Sequence, residues 1–458
     1  MPAGSRVDVT HLIDHARFAG VPARLTILAF LILIADGYDI QSIAFAAPAL
    51  AESWGVRREL LGPVLAASLI GMGLGSVALG WLGDRIGRKR AFCLCIAVLA
   101  LGSLASAGAG SLAALVLFRF VTGLGLGGAA PLATSLSAEW TSVRWRSLAV
   151  AIALVGIPLG GMLGAAIAAR IIPAYGWRSV FLVGAVSPLI FLALALPWMP
   201  ESAKFLAGRP AERVRLARSL NRLVGERRFE GTEVFSVAEP QERGHGSIMS
   251  LLRAPYLPTT LLLWIAFSCN TLALYGFVNW MPTVLSGAGL PLQAALSGSV
   301  WFNCGGMMGA LGGSLLISRY GSRSVGACVA CAGALSAALL GIATSAHAAR
   351  FGTSLFGLVV VAGASLNGMQ AFLYAVSAHS YPTRIRGTGV GAASAVARVG
   401  GVLSSGVGSA FFALGLAVAE FFYILAAVIL ATTASFYLLR SHIPGRAASA
   451  LLARGAEV

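Results

Sequence analysis

The stretch GWLGDRIGRKR, Gly80–Arg90, places five charged residues between two long apolar runs, 60–82 and 91–108. It has a weaker echo, SLLISRYGSRS, Ser314–Ser324, between the runs 294–317 and 325–344. At an offset of 234, Arg85 matches Arg319, Gly87 matches Gly321, Lys89 corresponds to Arg323, and Asp84 is replaced by Ser318. A second echo, at an offset of 240, joins EWTSVRWRS (Glu139–Ser147) to HSYPTRIRG (His379–Gly387). There Arg144 and Arg146 meet Arg384 and Arg386, and Gly160–Gly161 meet Gly400–Gly401. Two echoes at nearly one offset, in one helical phase, describe a chain whose second half repeats its first.

Composition says what is repeated. Of 458 residues, 57% are hydrophobic and 11% charged, with a mean hydropathy of +0.83. Soluble domains carry about 25% charged residues, so this surface cannot be water-facing throughout. A membrane helix needs about 20 apolar residues, and twelve runs qualify: 25–50, 60–82, 91–108, 112–137, 148–171, 180–199, 259–287, 294–317, 325–344, 351–378, 388–413 and 416–439. They are too long and too little alternating for a β-barrel. The reading is an all-α membrane protein with twelve transmembrane helices in two six-helix pseudo-repeats. Its expected parts are an N-terminal half over 1–199, a cytoplasmic linker over 200–258, and a C-terminal half with a cytoplasmic tail over 259–458.

The net charge of +16 is a matter of topology. Counted by alternate loops, 26 Lys and Arg lie on the side of both termini. Five (Arg57, Arg58, Arg170, Arg178 and Arg350) lie opposite, and Arg119 and Arg398 fall inside spans. Positive charge marks the cytoplasmic side, so both termini are expected in the cytoplasm. No basic stretch is interleaved with aromatics, which argues against a nucleic-acid partner. The first apolar run is long enough to span and lacks a cleavage signature, so it reads as an uncleaved anchor. All six cysteines lie in predicted spans, away from histidines, so no metal and no cofactor is expected.

The tandem six-helix repeat with Gly80, Asp84, Arg85, Gly87, Arg88 and Lys89 resembles the major facilitator superfamily, whose loop motif reads G-x-x-x-D-R-x-G-R-[KR]. The resemblance implies the major facilitator fold, with a binding site near mid-membrane about which the halves rock. Asp84, at a helix end, can accept charge-assisted hydrogen bonds from arginines and a neighbouring helix N-terminus, pinning one packing of the helices. Asp84, Arg85, Arg88, Glu139, Arg384 and Arg386 are accordingly the gating candidates.

Charges inside spans are costly, about 2.5–3.5 kcal/mol each on insertion scales, so each is informative. Asp36 and Asp39, in LIADGYDIQ, lie three residues apart on one helical face. Two carboxylates so close in a low-dielectric site cannot easily both be ionised, which suits a proton carrier. A packing hydrogen bond or an ion pair with Arg119 or Arg398 is the plainer alternative. Arg119 opens RFVTGLGLGG, similar to the superfamily's fourth-helix motif, which implies proton transfer or a hold on the carboxylates. Arg398, where the first half has Pro158, has the bidentate geometry to clamp a carboxylate. Tyr38, Asn279, Trp280, Asn367, Gln370 and Tyr374 complete the substrate-binding candidates. Their rings would stack on an aromatic ligand and their amides would meet its polar groups. Tyr275, Phe277, Trp301, Phe302 and Asn303 stand beside them.

DGYDIQSIAFAAPAL (Asp36–Leu50) resembles the D-G-x-D signature of the aromatic acid:H⁺ symporter family, supported by Arg119–Pro131, Asn279–Pro282 and Tyr381–Gly391. The resemblance implies a monomeric symporter of a bacterial inner (cytoplasmic) membrane, with a small aromatic carboxylate, protons and membrane lipid as its partners. It would work by alternating access and is not an enzyme. The alternatives are a proton-coupled efflux antiporter, an importer of another small organic anion, and a non-transporting membrane receptor or enzyme; GIPLGGMLG (Gly156–Gly164) is similar to a motif tied to antiporters, but a Gly/Pro hinge between small residues serves either direction. No nucleophile–base pair supports a receptor or enzyme.

Overall fold

The computed structural model describes residues 6–237, 248–346, 353–382 and 384–445. Arg350 and the side chain of Ser318 lie outside the described residues, as does part of the 200–258 segment. The chain opens with strand β1 (Arg6–Asp8) and helix α1 (Val9–Asp14). Six long helices follow: α2 (Val21–Trp54), α3 (Gly62–Ile86, entered through a 3-10 turn at Arg58–Leu61), α4 (Arg88–Ala107), α5 (Leu112–Glu139), α6 (Val143–Tyr175) and α7 (Arg178–Ala195). The middle segment holds α8 (Ala203–Ala207), α9 (Arg213–Val224), strand β2 (Val234–Ser236) and α10 (Ile248–Leu251). Six more long helices complete it: α11 (Leu257–Gly287), α12 (Leu292–Tyr320), α13 (Ser322–Ala346), α14 (Thr353–Ser380), α15 (Arg386–Ala413) and α16 (Val418–Tyr437).

Among the described residues, eleven helices are long and apolar enough to cross a membrane, and Arg178–Leu194 is a shorter apolar helix. Among the described residues each of the twelve expected runs is thus helical over most of its length. In lipid every backbone N–H and C=O must be satisfied internally, and a helix does this within one segment. The sixth is shorter than the run 180–199, because Pro197 and Pro200 cannot continue a helix and push the residues before them out of the helical region.

Two compact units emerge: Met1–Ile40, Ile70–Gly160 and Phe181–Glu242 form the first, and Gln41–Leu69, Gly161–Val180 and Arg243–Val458 the second. In the first unit β1 pairs in parallel with β2, Val7 opposite Phe235. This tie draws the N-terminal segment onto the middle segment, where Val9 and Ile13 join Leu216, Ala217, Leu220, Phe229 and Phe235 in one apolar cluster. Helix α9 has its three buried residues on one stripe, and Arg215, Arg218 and Arg222 on the exposed one. Helices α2 and α6 approach so closely that a Cβ on Gly37 would lie 2.0 Å from the Ile157 carbonyl oxygen. One on Gly160 would lie 2.0 Å from that of Ile34. The small residues of GIPLGG therefore serve helix packing here. The second unit has its own core, in which Phe267, Met369, Phe372, Leu373, Ala393 and Phe436 meet.

Candidate functional site

In the first unit the two acids of α2 have unlike surroundings. Arg119 of α5 and Asp39 are both 0% exposed, and Arg119 Nη1 donates to Asp39 Oδ1 at 3.1 Å. Its Nη2 donates to the Asp39 main-chain oxygen at 2.9 Å, so one guanidinium grips both ends of the residue. Ser103 Oγ of α4 lies 3.0 and 2.9 Å from the two carboxylate oxygens of Asp39, and the Arg119 guanidinium stands 5.5 Å from the centre of the Phe181 ring. Asp36 is 3% exposed, yet its Oδ1 has no hydrogen-bond partner and no cation pairs with it among the described residues. The site thus holds one neutralised carboxylate and one carboxyl without a counter-charge. Tyr38 is buried between them in sequence. Ser103 carried no sequence signal, since a lone serine in an apolar run is ordinary.

The charged loop of the first unit is pinned, but through other atoms than the motif suggested. Asp84 is exposed, with no ion pair or hydrogen bond from its side chain among the described residues. Glu201 takes the capping place: its Oε1 accepts from the backbone N–H of Lys89 and of Ser202, each at 2.9 Å. Gly87 is required beside it, because its φ is +100° and a Cβ would fall 2.4 Å from Glu201 Oε2. Arg88 pairs with Glu139 and reaches Ser135, and Ser202 Oγ donates to Glu139 Oε2 at 2.6 Å. Arg85 lies over Trp81 at 3.9 Å, and its carbonyl accepts from Arg209 at 2.9 Å. Arg146 reaches Asp14 at 3.8 Å and donates to the Ala138 carbonyl at 3.0 Å. An acid directly after the sixth apolar run was the available signal for Glu201.

The second unit holds the corresponding loop by a serine and main-chain groups, with Arg323 lying 4.5 Å over the Tyr437 ring. Ser322 donates its N–H to the Ile443 carbonyl at 2.9 Å, and its Oγ accepts from the Ile443 N–H at 2.8 Å. The segment after α16 thus pins the second loop as the segment after α7 pins the first. Arg386 donates to the Tyr381 carbonyl at 3.4 Å, and Arg384 is exposed.

The same unit carries two amide clusters. Gln41 and Asn303 form a closed pair, each amide donating to the other at 3.0 Å, and both are buried. Gln370 of α14 instead receives Asn270 Nδ2 of α11 at 2.7 Å and Thr271 Oγ1 at 3.4 Å on its Oε1. Asn367 donates to the Gly363 carbonyl at 3.0 Å. Tyr374, 38% exposed, hydrogen-bonds Ser394 at 3.1 Å and packs edge-on against Phe267. Arg398 is half-buried on α15. Asn279 is buried, and Trp280 is fully enclosed, packed against Phe412 and over Gly408, where a Cβ would strike its ring. Phe277 and Phe302 stack at 5.3 Å. Neither Gln41 nor Asn270 was singled out in the sequence, although an amide in a span was itself the signal. Among the described residues no group of three or more His, Cys, Asp or Glu side chains is placed to hold a metal ion, and all six cysteines are free.

Comparison with known proteins agrees with this architecture. The profile of the Major Facilitator Superfamily matches residues 29–404. A gallate transporter of Pseudomonas putida is 34% identical over 425 residues, 93% of each chain. The 4-hydroxybenzoate transporter PcaK of Acinetobacter baylyi is 35% identical over 408 residues, 88% of each chain. Among solved structures, a D-xylose–proton symporter superposes with a TM-score of 0.69 at 17% identity, covering 92% of this chain and 98% of its own.

Proposed function

Because the chain belongs to the Major Facilitator Superfamily, we propose that it imports an aromatic carboxylate with protons across a bacterial inner membrane by alternating access, as a monomer with both termini in the cytoplasm. The gallate and 4-hydroxybenzoate transporters among its relatives support the substrate class. The excess of basic residues on the loops that share a side with the termini supports the orientation.

One observation carries the coupling scheme: Asp39 is neutralised by Arg119, while Asp36 has no counter-charge among the described residues. An ionised carboxylate enclosed without a partner is costly, whereas a proton supplies the missing charge. Asp36 is therefore the group that loads and releases H⁺. Asp39 and Arg119 hold their geometry, and Ser103 steadies the pair. Arg398, in the second unit, takes the substrate carboxylate as a fork of donors. With the proton on Asp36 and the anion on Arg398, both sites are neutral and the loaded carrier can turn. Arg88, Glu139, Glu201 and Ser202 brace one arrangement of the loop, with Arg85 and Asp84 at its surface and Arg384 and Arg386 at the corresponding turn of the second half.

The test is uptake of 4-hydroxybenzoate into proteoliposomes under an imposed pH gradient, by the unmodified protein and by Asp36→Asn. The amide mimics the protonated acid, so the variant should exchange substrate across the membrane yet fail to accumulate it. Accumulation by Asp36→Asn at the unmodified level would show that the proton rides elsewhere.

A further inference from the structure

Asn270 and Gln370 pair by one hydrogen bond where Gln41 and Asn303 pair by two, and the difference leaves groups unspent. A backbone carbonyl only accepts, so the contact of Asn270 Nδ2 with the Leu366 oxygen, at 3.2 Å, fixes which end of the Asn270 amide faces α14. The same nitrogen gives its second hydrogen to Gln370 Oε1 at 2.7 Å, and Thr271 adds a second donor to that oxygen. Both acceptor positions of the Gln370 oxygen are thus engaged. Its Nε2, with two hydrogens, has no partner among the described residues. Asn270, 1% exposed, is left with an unpartnered Oδ1. Gln370 is half-buried and lies within the span Leu355–Ser380, where an amide turned to lipid would stay unsatisfied. Its two hydrogens are left for an oxygen from outside the protein, of water or of a ligand.

We infer that Gln370 Nε2 donates to an oxygen on the ring of the substrate, and that Asn270 is the positioning residue that holds the Gln370 amide that way round. The inference rests on the proposed transport of aromatic acids and narrows it to rings bearing an oxygen substituent, with the carboxylate left to Arg398. A donor-only group accepts hydroxyl and methoxy oxygens alike, since each offers a lone pair, and gives nothing to an unsubstituted ring.

The experiment compares uptake of benzoate with that of hydroxybenzoates and methoxybenzoates substituted at matched positions, as kcat/KM ratios. The unmodified protein should favour both oxygenated acids over benzoate by about tenfold. Asn270→Asp has no hydrogen to give Gln370 Oε1, so the Gln370 amide should turn, placing Nε2 on the new carboxylate and Oε1 outward. A hydroxyl can still donate to that oxygen and a methoxy group cannot, so the hydroxy-to-methoxy ratio should rise about tenfold. Gln370→Leu should erase the advantage of both oxygenated acids, and it serves as a second variant where Asn270→Asp folds poorly. A side chain that merely supported packing would change all substrates together. Uptake with unchanged ratios in both variants overturns this inference alone, while an unmodified protein that carries none of these benzoates and no phenylpropanoate overturns the parent reading and this one with it.

Discussion

Replacing Asp39 by asparagine strips the counter-charge from a guanidinium that is 0% exposed. Breaking a buried pair by removing one partner costs about 3–5 kcal/mol, most of it the stranded charge. The asparagine keeps an oxygen for Arg119 Nη1 and Ser103, and the main-chain bond from Nη2 at 2.9 Å survives. We therefore predict the low end, about 3 kcal/mol, roughly a hundredfold in the folding equilibrium. Asp36→Asn should behave differently, because it replaces a carboxyl that has no cation beside it among the described residues. Its effect should stay within about 1 kcal/mol. Adding Arg119→Met to Asp39→Asn removes the stranded cation, so the double variant should recover part of the loss. The assay is reversible unfolding in mixed detergent micelles across the full double-variant cycle. If Asp39→Asn were no less stable than Asp36→Asn, or if Arg119→Met deepened its loss, the division of labour between the two acids would be wrong.

Two further outcomes are expected elsewhere in the chain. Lys89, Arg90, Arg215, Arg218 and Arg222 line a groove of about 600 Å3 beside the start of α4, where the level of the headgroups would lie. Clustered basic residues at that level attract anionic lipid, so the protein should gain thermal stability in phosphatidylglycerol over phosphatidylcholine nanodiscs. The triple change Arg215→Gln/Arg218→Gln/Arg222→Gln should remove most of that gain; an undiminished gain would exclude the groove as the site. His442 packs against Phe436 and lies 3.3 Å from Ser322 Oγ. Burial, then Arg323, lowers its pKa from the usual 6.5 against an opposing hydrogen bond at Leu439. The folded form therefore favours the neutral ring, and its contribution is complete above pH 6.5 and lost as the pH falls through the lower folded value. Protection of the Ser322 and Ile443 amides from hydrogen exchange should fall as the pH is taken below 6.5, and His442→Phe should abolish that dependence. Protection that tracked pH identically in both proteins would rule the histidine out.

The twelve apolar runs and the repeat at offsets 234 and 240 were legible along the chain, because hydrophobic length and charge excess belong to each segment alone. Asp36, Asp39 and Arg119 stood out for the same reason: any ionisable group in a span is conspicuous wherever its partners are. Their roles were not legible. Spacing put both acids on one face, and only the folded chain brings Arg119, 80 residues away, to Asp39 and leaves Asp36 without a cation among the described residues. Asp84 carried the motif while Glu201 took its capping place 112 residues from Lys89, since a cap is chosen by which carboxylate reaches the N–H groups in space. Local composition decides what crosses the membrane, but which groups neutralise one another depends on distances between remote segments, and those exist only once the helices have packed.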